Sequence, residues 1–161
     1  MENKQISSRP AQILLVEDNY NDAELTRLAF EMSKLPFFIH HVRDGIDCMA
    51  FLRKEGKYAD VPTPDLILLD LNMPRMNGRE VLTEMRADEI LRQLRVVVLS
   101  TSSNDEEILK TYELGSSSYI VKPVDFERFV TIVRSLAEYW LTVVVLPPKT
   151  STLRPTLHLG A

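Results

Sequence analysis

The run Leu66-Ile67-Leu68-Leu69 stops abruptly at Asp70. Four consecutive apolar residues suit a strand buried on both faces, the kind that a parallel sheet needs. Three further apolar runs end in polar groups of one chemical character: Ile13-Leu14-Leu15-Val16 in Glu17-Asp18, Val96-Val97-Val98-Leu99 in Ser100-Thr101, and Tyr119-Ile120-Val121 in Lys122-Pro123. Function in open α/β sheets collects at the carboxyl ends of the strands. We therefore expect four strand ends, carrying carboxylates, a hydroxyl and an ammonium, to face one crevice.

The rest of the chain supplies helices between these strands. The polar stretch Met1 to Pro10 is expected to be a flexible N-terminus, and strand 1 to run from Gln12 to Val16. Helix 1 should begin near Asn21, with Glu24 as capping-box partner and a buried stripe of Leu25, Leu28, Ala29 and Met32. Phe37 to Val42 reads as strand 2. Asp44 can cap helix 2, whose buried residues would be Ile46, Met49 and Ala50, and residues 57–64 read as loop. After Asp70, Asn77-Gly78 leads into helix 3, buried at Val81, Leu82 and Met85. Asn104 with Glu107 caps helix 4, and Gly115 is a left-handed stop. Asp125 caps helix 5, where Phe126, Phe129, Val130, Val133, Ala137 and Trp140 keep helical spacing. Five strands alternating with helices imply an α/β doubly wound parallel sheet with helices on both faces. Strand order 2-1-3-4-5 would open a crevice between strands 1 and 3, where Glu17, Asp18 and Asp70 sit. We expect one domain over residues 11–146, followed by a tail, 147–161.

Three crowded carboxylates repel one another unless a cation neutralises them. Oxygen ligands without His or Cys select Mg2+ (or Mn2+), which keeps room for waters and a phosphate oxygen. A phosphoryl group is the natural missing ligand, with Lys122 as its point charge and the Ser100 hydroxyl as its hydrogen-bond donor. A carboxylate beside such a cation and a lysine can act as nucleophile on phosphorus. Asp70 suits that role better than Asp18, because it ends the most buried strand and the turn Leu71-Asn72-Met73-Pro74 can offer a backbone carbonyl to the metal.

Charge and composition exclude other classes. A net charge of -4 and a pI near 5.4 argue against a protein that neutralises a row of nucleic-acid phosphates. Cys48 is the single cysteine, so no internal disulfide can form; it falls on a helix and is expected to be a buried, inert thiol. Without an apolar leader or a membrane-length run, a cytoplasmic protein without membrane contact is expected. His40, His41 and His158 are assigned to structure or solvent, with His40 and His41 away from the site.

Taken together, Leu15-Val16-Glu17-Asp18-Asn19, Asp70-Leu71-Asn72-Met73-Pro74 with Asn77-Gly78, the strand ending Ser100-Thr101, and Tyr119-Ile120-Val121-Lys122-Pro123 resemble the receiver domains of two-component response regulators. The resemblance spans Gln12 to Trp140. Val42-Arg43-Asp44-Gly45, Asn77-Gly78-Arg79-Glu80-Val81-Leu82 and the ending Tyr139-Trp140-Leu141-Thr142-Val143-Val144-Val145-Leu146-Pro147 are similar to the stand-alone regulators that serve cyanobacterial phytochrome histidine kinases. The resemblance implies a flavodoxin-like fold and a role for each position. Asp70 would accept a phosphoryl group from a histidine kinase. Asp18 would bind Mg2+ directly, Glu17 directly or through water, and the Asn72 backbone carbonyl would be a further ligand beside Asp70. Lys122 would pair with the phosphoryl oxygens, Ser100 would move to hydrogen-bond them, and Tyr119 would turn inward with it. The bond before Pro123 would be cis. Glu17 and Ser100 stand where the family often has Asp and Thr, and both keep the needed oxygen.

The main alternative is an aspartyl-phosphate phosphohydrolase of haloacid-dehalogenase type, which needs an acid two residues after the nucleophile; Asn72 occupies that place. A flavin or nucleotide carrier is disfavoured, since no Gly-rich loop follows strand 1. With only a short stretch after Trp140, output is expected through contact with a downstream phosphotransfer or target protein. The apolar run Val143 to Leu146 either folds back on the domain or joins helix 4, strand 5 and helix 5 in a homodimer.

Overall fold

The computed structural model describes residues 9–143. Residues 144–161 lie outside them, and with them the tail, His158 and nearly all of the run Val143 to Leu146. Five parallel strands, β1 (Ala11–Val16), β2 (Phe37–Val42), β3 (Leu66–Asp70), β4 (Val96–Ser100) and β5 (Ser118–Val121), form one sheet in the order β2-β1-β3-β4-β5. Five helices connect and flank them: α1 (Tyr20–Met32), α2 (Gly45–Leu52), α3 (Gly78–Ala87), α4 (Asp105–Glu113) and α5 (Phe126–Glu138). This is the expected α/β architecture. Short 3-10 turns at Gly56–Tyr58 and Leu91–Gln93 add detail that the loop reading lacked.

Alternation along each central strand divides the core. Leu14, Val16, Ile67, Leu69, Val96 and Val98 pack with α2 and α3 on one face, and Ile13, Leu15, Leu66, Leu68, Val97 and Leu99 with α1 and α5 on the other. β3 is buried at all five residues, so truncating Leu68 to Ala would cost about 3 kcal/mol.

Side-chain caps set the helix starts: Asn19, Asp44, Asn77, Asn104 and Asp125 each accept a hydrogen bond from a backbone N–H of the first turn. Three of these, Asp44, Asn104 and Asp125, are the expected caps, and Asn77 lies in the turn expected to lead into helix 3. For α1 the cap is Asn19, two residues before the expected start. The buried stripe differs too: Ala23, Thr26, Ala29 and Phe30 face the core, while Leu28 and Met32 are 47% and 40% exposed. In α2 the buried residues are Gly45, Cys48, Met49, Phe51 and Leu52, and Ile46 is exposed. Phe126, at the first turn of α5, is exposed as well. Gly115 has φ +100° and closes α4 as expected. The Arg9 guanidinium clasps the buried Asp65 carboxylate with two 2.8 Å bonds; residues 1–8, most of the expected flexible N-terminus, lie outside the described residues.

Candidate functional site

Register explains why the four strand ends meet. Val16 pairs with Leu69, so one residue further Glu17 comes level with Asp70. Asp70 pairs with Leu99, placing Ser100 just beyond it on β4, and Ser100 pairs with Val121, placing Lys122 just beyond β5. Glu17, Asp70 and Ser100 are buried at 2%, 8% and 0% exposure. Carboxylate oxygens of Glu17, Asp18 and Asp70 all lie within 4.8 Å of one another.

One ammonium stands against this negative charge. The Lys122 side chain, 7% exposed, places Nζ 2.5 Å from Glu17 Oε1, 3.1 Å from Asp22 Oδ2 and 4.0 Å from Asp70 Oδ1. Burial pushes the Asp70 carboxyl up to about 7; Lys122 pulls it down, and the neighbouring Glu17 charge adds to the rise. Burial disfavours the charged form of Lys122, but Glu17, Asp70 and Asp22 outweigh it and hold its pKa above the ordinary lysine value. The triad is thus a set of hard oxygen donors incompletely neutralised by the protein itself, which is the donor chemistry that binds a divalent cation.

The β3–α3 turn closes over Asp70. The Asn72 backbone N–H donates to Asp70 Oδ1 at 3.4 Å, and Gly78 N–H donates to the Leu71 carbonyl. A Cβ on Gly78 would lie 2.5 Å from the Asp70 carbonyl oxygen, so only glycine lets α3 start this close to β3. Arg75, at φ +64°, ties the turn to the Asp44 cap through a 2.6 Å ion pair.

The other half of the crevice is built of hydroxyls. Ser102 N–H donates to Ser100 Oγ at 3.2 Å, Ser102 Oγ donates to Glu107 Oε2 at 2.8 Å, and the Tyr119 hydroxyl donates to the Ser102 carbonyl at 2.8 Å. Arg79 on α3 completes this chain by an ion pair to Glu107 on α4. Tyr119 is half-buried with its ring against the core.

Several features were not anticipated. The Lys122–Pro123 bond is trans, as are all peptide bonds among the described residues. The expectation of cis is corrected: trans is the lower-energy isomer for X-Pro by about 0.5–1 kcal/mol, and the turn after β5 is open, with Val124 fully exposed. His41 is not away from the site, since its Nε2 lies 2.7 Å from the Glu17 carbonyl oxygen; alternation along β2 hid this, because the contact crosses to β1. Asp22 was read only as part of a helix, and Arg43, which donates to the Asp18 carbonyl, only as part of a motif. Cys48 is fully buried as expected, and burial, with the nearby Asp44 charge, pushes its thiol up to about 12.

A strand-end acidic triad, a buried lysine and a hydroxyl on the adjacent strand, all on a 2-1-3-4-5 parallel sheet, define a class of phosphoryl-handling signalling domain. The chain belongs to the response regulator receiver domain family, whose model matches residues 13–134. It is 39% identical to the response regulator Rcp1 of Synechocystis sp. over 141 residues, covering 88% of this chain and 96% of Rcp1. The structure is similar to that of the phosphorylated cyanobacterial phytochrome response regulator RcpA, with TM-score 0.83 and 45% identity over 86% of this chain and 99% of that one. It is equally similar to the Mn2+-bound form of Rcp1, with TM-score 0.83 and 39% identity over 86% of this chain and 100% of that one. As a receiver domain it is a signalling protein that works with a histidine kinase. These relatives lend nothing to the phosphohydrolase alternative. Among the described residues no helix is long and apolar enough to cross a membrane.

Proposed function

We propose that Asp70 is the phosphoacceptor of a two-component phosphorelay and that a phytochrome histidine kinase is the donor. The observation that carries this reading is the placement of the Asp70 carboxylate beside Glu17 and Asp18, with the Lys122 ammonium at 4.0 Å. An Asp70 oxygen attacks phosphorus while the bond from phosphorus to the donor nitrogen breaks, giving an acyl phosphate on Asp70. Lys122 pairs with a phosphoryl oxygen, Ser100 rotates its hydroxyl from the Ser102 N–H toward the new group, and Tyr119 follows the loop that carries Ser102. Glu17, Asp18, Asp70 and the Asn72 backbone carbonyl would hold Mg2+, which neutralises charge on the incoming phosphoryl group. The same residues then admit water for dephosphorylation, so the protein catalyses its own loading from the donor and its own unloading to water. The phytochrome assignment is supported by the similarity to Rcp1 and RcpA.

Output passes through protein contact. Leu109 and Tyr112 on α4, Val121 at the end of β5 and Phe126 at the start of α5 are exposed, an apolar surface that suits a second copy of the chain. Intact mass after incubation with a small phosphodonor and Mg2+ tests the central reading. The wild type is expected to gain one phosphoryl group and Asp70→Asn none; uptake by Asp70→Asn overturns the assignment. Light scattering of the intact chain against one ending at Trp140 tests the dimer, and equal monomeric masses remove it.

A further inference from the structure

Lys122 has a third carboxylate partner that belongs to no part of the phosphoacceptor triad. Its ammonium is almost fully withdrawn from water, so anions within the site must meet it. Glu17 does so at 2.5 Å, and Asp22, in the first turn of α1, at 3.1 Å. Asp22 is firmly placed: its backbone N–H donates to the Asn19 side chain, and its carbonyl accepts the Thr26 hydroxyl at 2.8 Å. Its carboxylate is 32% exposed and is not among the oxygens that cluster with Asp18 and Asp70.

Resting on the reading of Asp70 as phosphoacceptor, we propose that Asp22 is a positioning residue for Lys122. It holds the ammonium when Glu17 turns its charge to a divalent cation, and it competes with a phosphoryl group on Asp70 for the same ammonium. The physical reason is a conflict over one counter-charge. Glu17 cannot fully serve a cation and Lys122 at once. With Asp22 present, the ammonium keeps a carboxylate at hydrogen-bond distance and its repulsion of the cation is offset. Once Asp70 carries a phosphoryl group, that tether opposes the approach of Lys122.

Loss of the Asp22 charge therefore shifts two affinities in opposite directions. Divalent cation alone should bind more weakly, while a phosphoryl analogue should bind more tightly at saturating cation. An acid that serves only the α1 helix dipole would change stability and move neither constant selectively.

The test is calorimetric titration of the full chain with Mg2+ alone, and with beryllofluoride at saturating Mg2+. Wild type, Asp22→Asn and Asp22→Glu are compared, along with the same Asp22→Asn change on a Lys122→Ala background. Asp22→Asn is expected to raise the Mg2+ Kd about fivefold and lower the beryllofluoride Kd by a similar factor, a coupling of ordinary size. Asp22→Glu should restore both toward wild type, and Lys122→Ala should abolish both effects. Constants that move together or not at all, or effects that persist without Lys122, overturn the proposal. A wild type that takes up Mg2+ but neither beryllofluoride nor a phosphoryl group overturns the phosphoacceptor reading itself, and the competition half of the proposal with it.

Discussion

On the β1–β3 side of the crevice, Glu17 and Asp70 are buried like charges held together by one ammonium. On the β4–β5 side, the hydroxyls of Ser100, Ser102 and Tyr119 are each matched by a hydrogen bond in a chain that ends at the Glu107–Arg79 ion pair. The energetics of the two sides oppose each other. The acidic half is strained by its own charge and is relieved when a proton or cation arrives. The hydroxyl half is satisfied as it stands and must break bonds before Ser100 can turn elsewhere. On the proposed function, a ligand would be met on one side and resisted on the other, as a two-state switch requires.

This contrast is sharpest at Lys122. Lys122→Ala leaves Glu17 and Asp70 without their counter-charge, and we expect metal-free protein at pH 8 to lose about 3 kcal/mol in urea unfolding. Added Mg2+ should recover most of it; a loss that ignores Mg2+ would break the distinction between the two halves.

Asp70→Asn should act with the opposite sign. Because the Asp70 pKa is raised in the folded state, the native protein binds more protons than the unfolded chain between pH 4 and about 7. The metal-free wild type accordingly loses stability as pH rises through that window. Asn has no such penalty, so the variant should match wild type below pH 4 and exceed it by up to about 4 kcal/mol at pH 8. Paired urea titrations across pH check this.

Effects on the hydroxyl half should be smaller and, between pH 5 and pH 8, indifferent to pH. Tyr119→Phe removes the hydroxyl that reaches the Ser102 carbonyl, at a cost of about 1 kcal/mol that stays constant from pH 5 to pH 8. Arg79→Met breaks the half-exposed pair with Glu107 and should cost about 0.5 kcal/mol, shrinking as salt is added. A pH-dependent loss in either variant would mean that the two halves share one electrostatic network.

Most of the site was legible because strand residues are placed by pairing, and pairing carries over from one short apolar run to the next. Asp70, Glu17, Ser100 and Lys122 come together through register alone. Helical faces were harder to read, since each residue turns the face by about 100°. In α1 a stripe read a fraction of a turn off was enough to miss Phe30, which lies inside, and to count in Leu28 and Met32, which lie outside. Asp22 was invisible for another reason. An acid in a first turn is already explained by the helix dipole, and nothing local announces a lysine 100 positions away. His41 was missed because a strand pattern tells which face a side chain takes, but not that its ring spans to the neighbouring strand's terminal carbonyl.

Cys48 gives the fold a clock of its own. It is the single thiol in the chain, wholly enclosed beneath α2 and held in its protonated form. A thiol reagent must therefore wait for that layer to part from the sheet, and at reagent concentrations high enough to outpace reclosing the rate of labelling becomes the opening rate of the packing around α2. Bound cation or phosphoryl group at the strand ends should be read there as a slower tick.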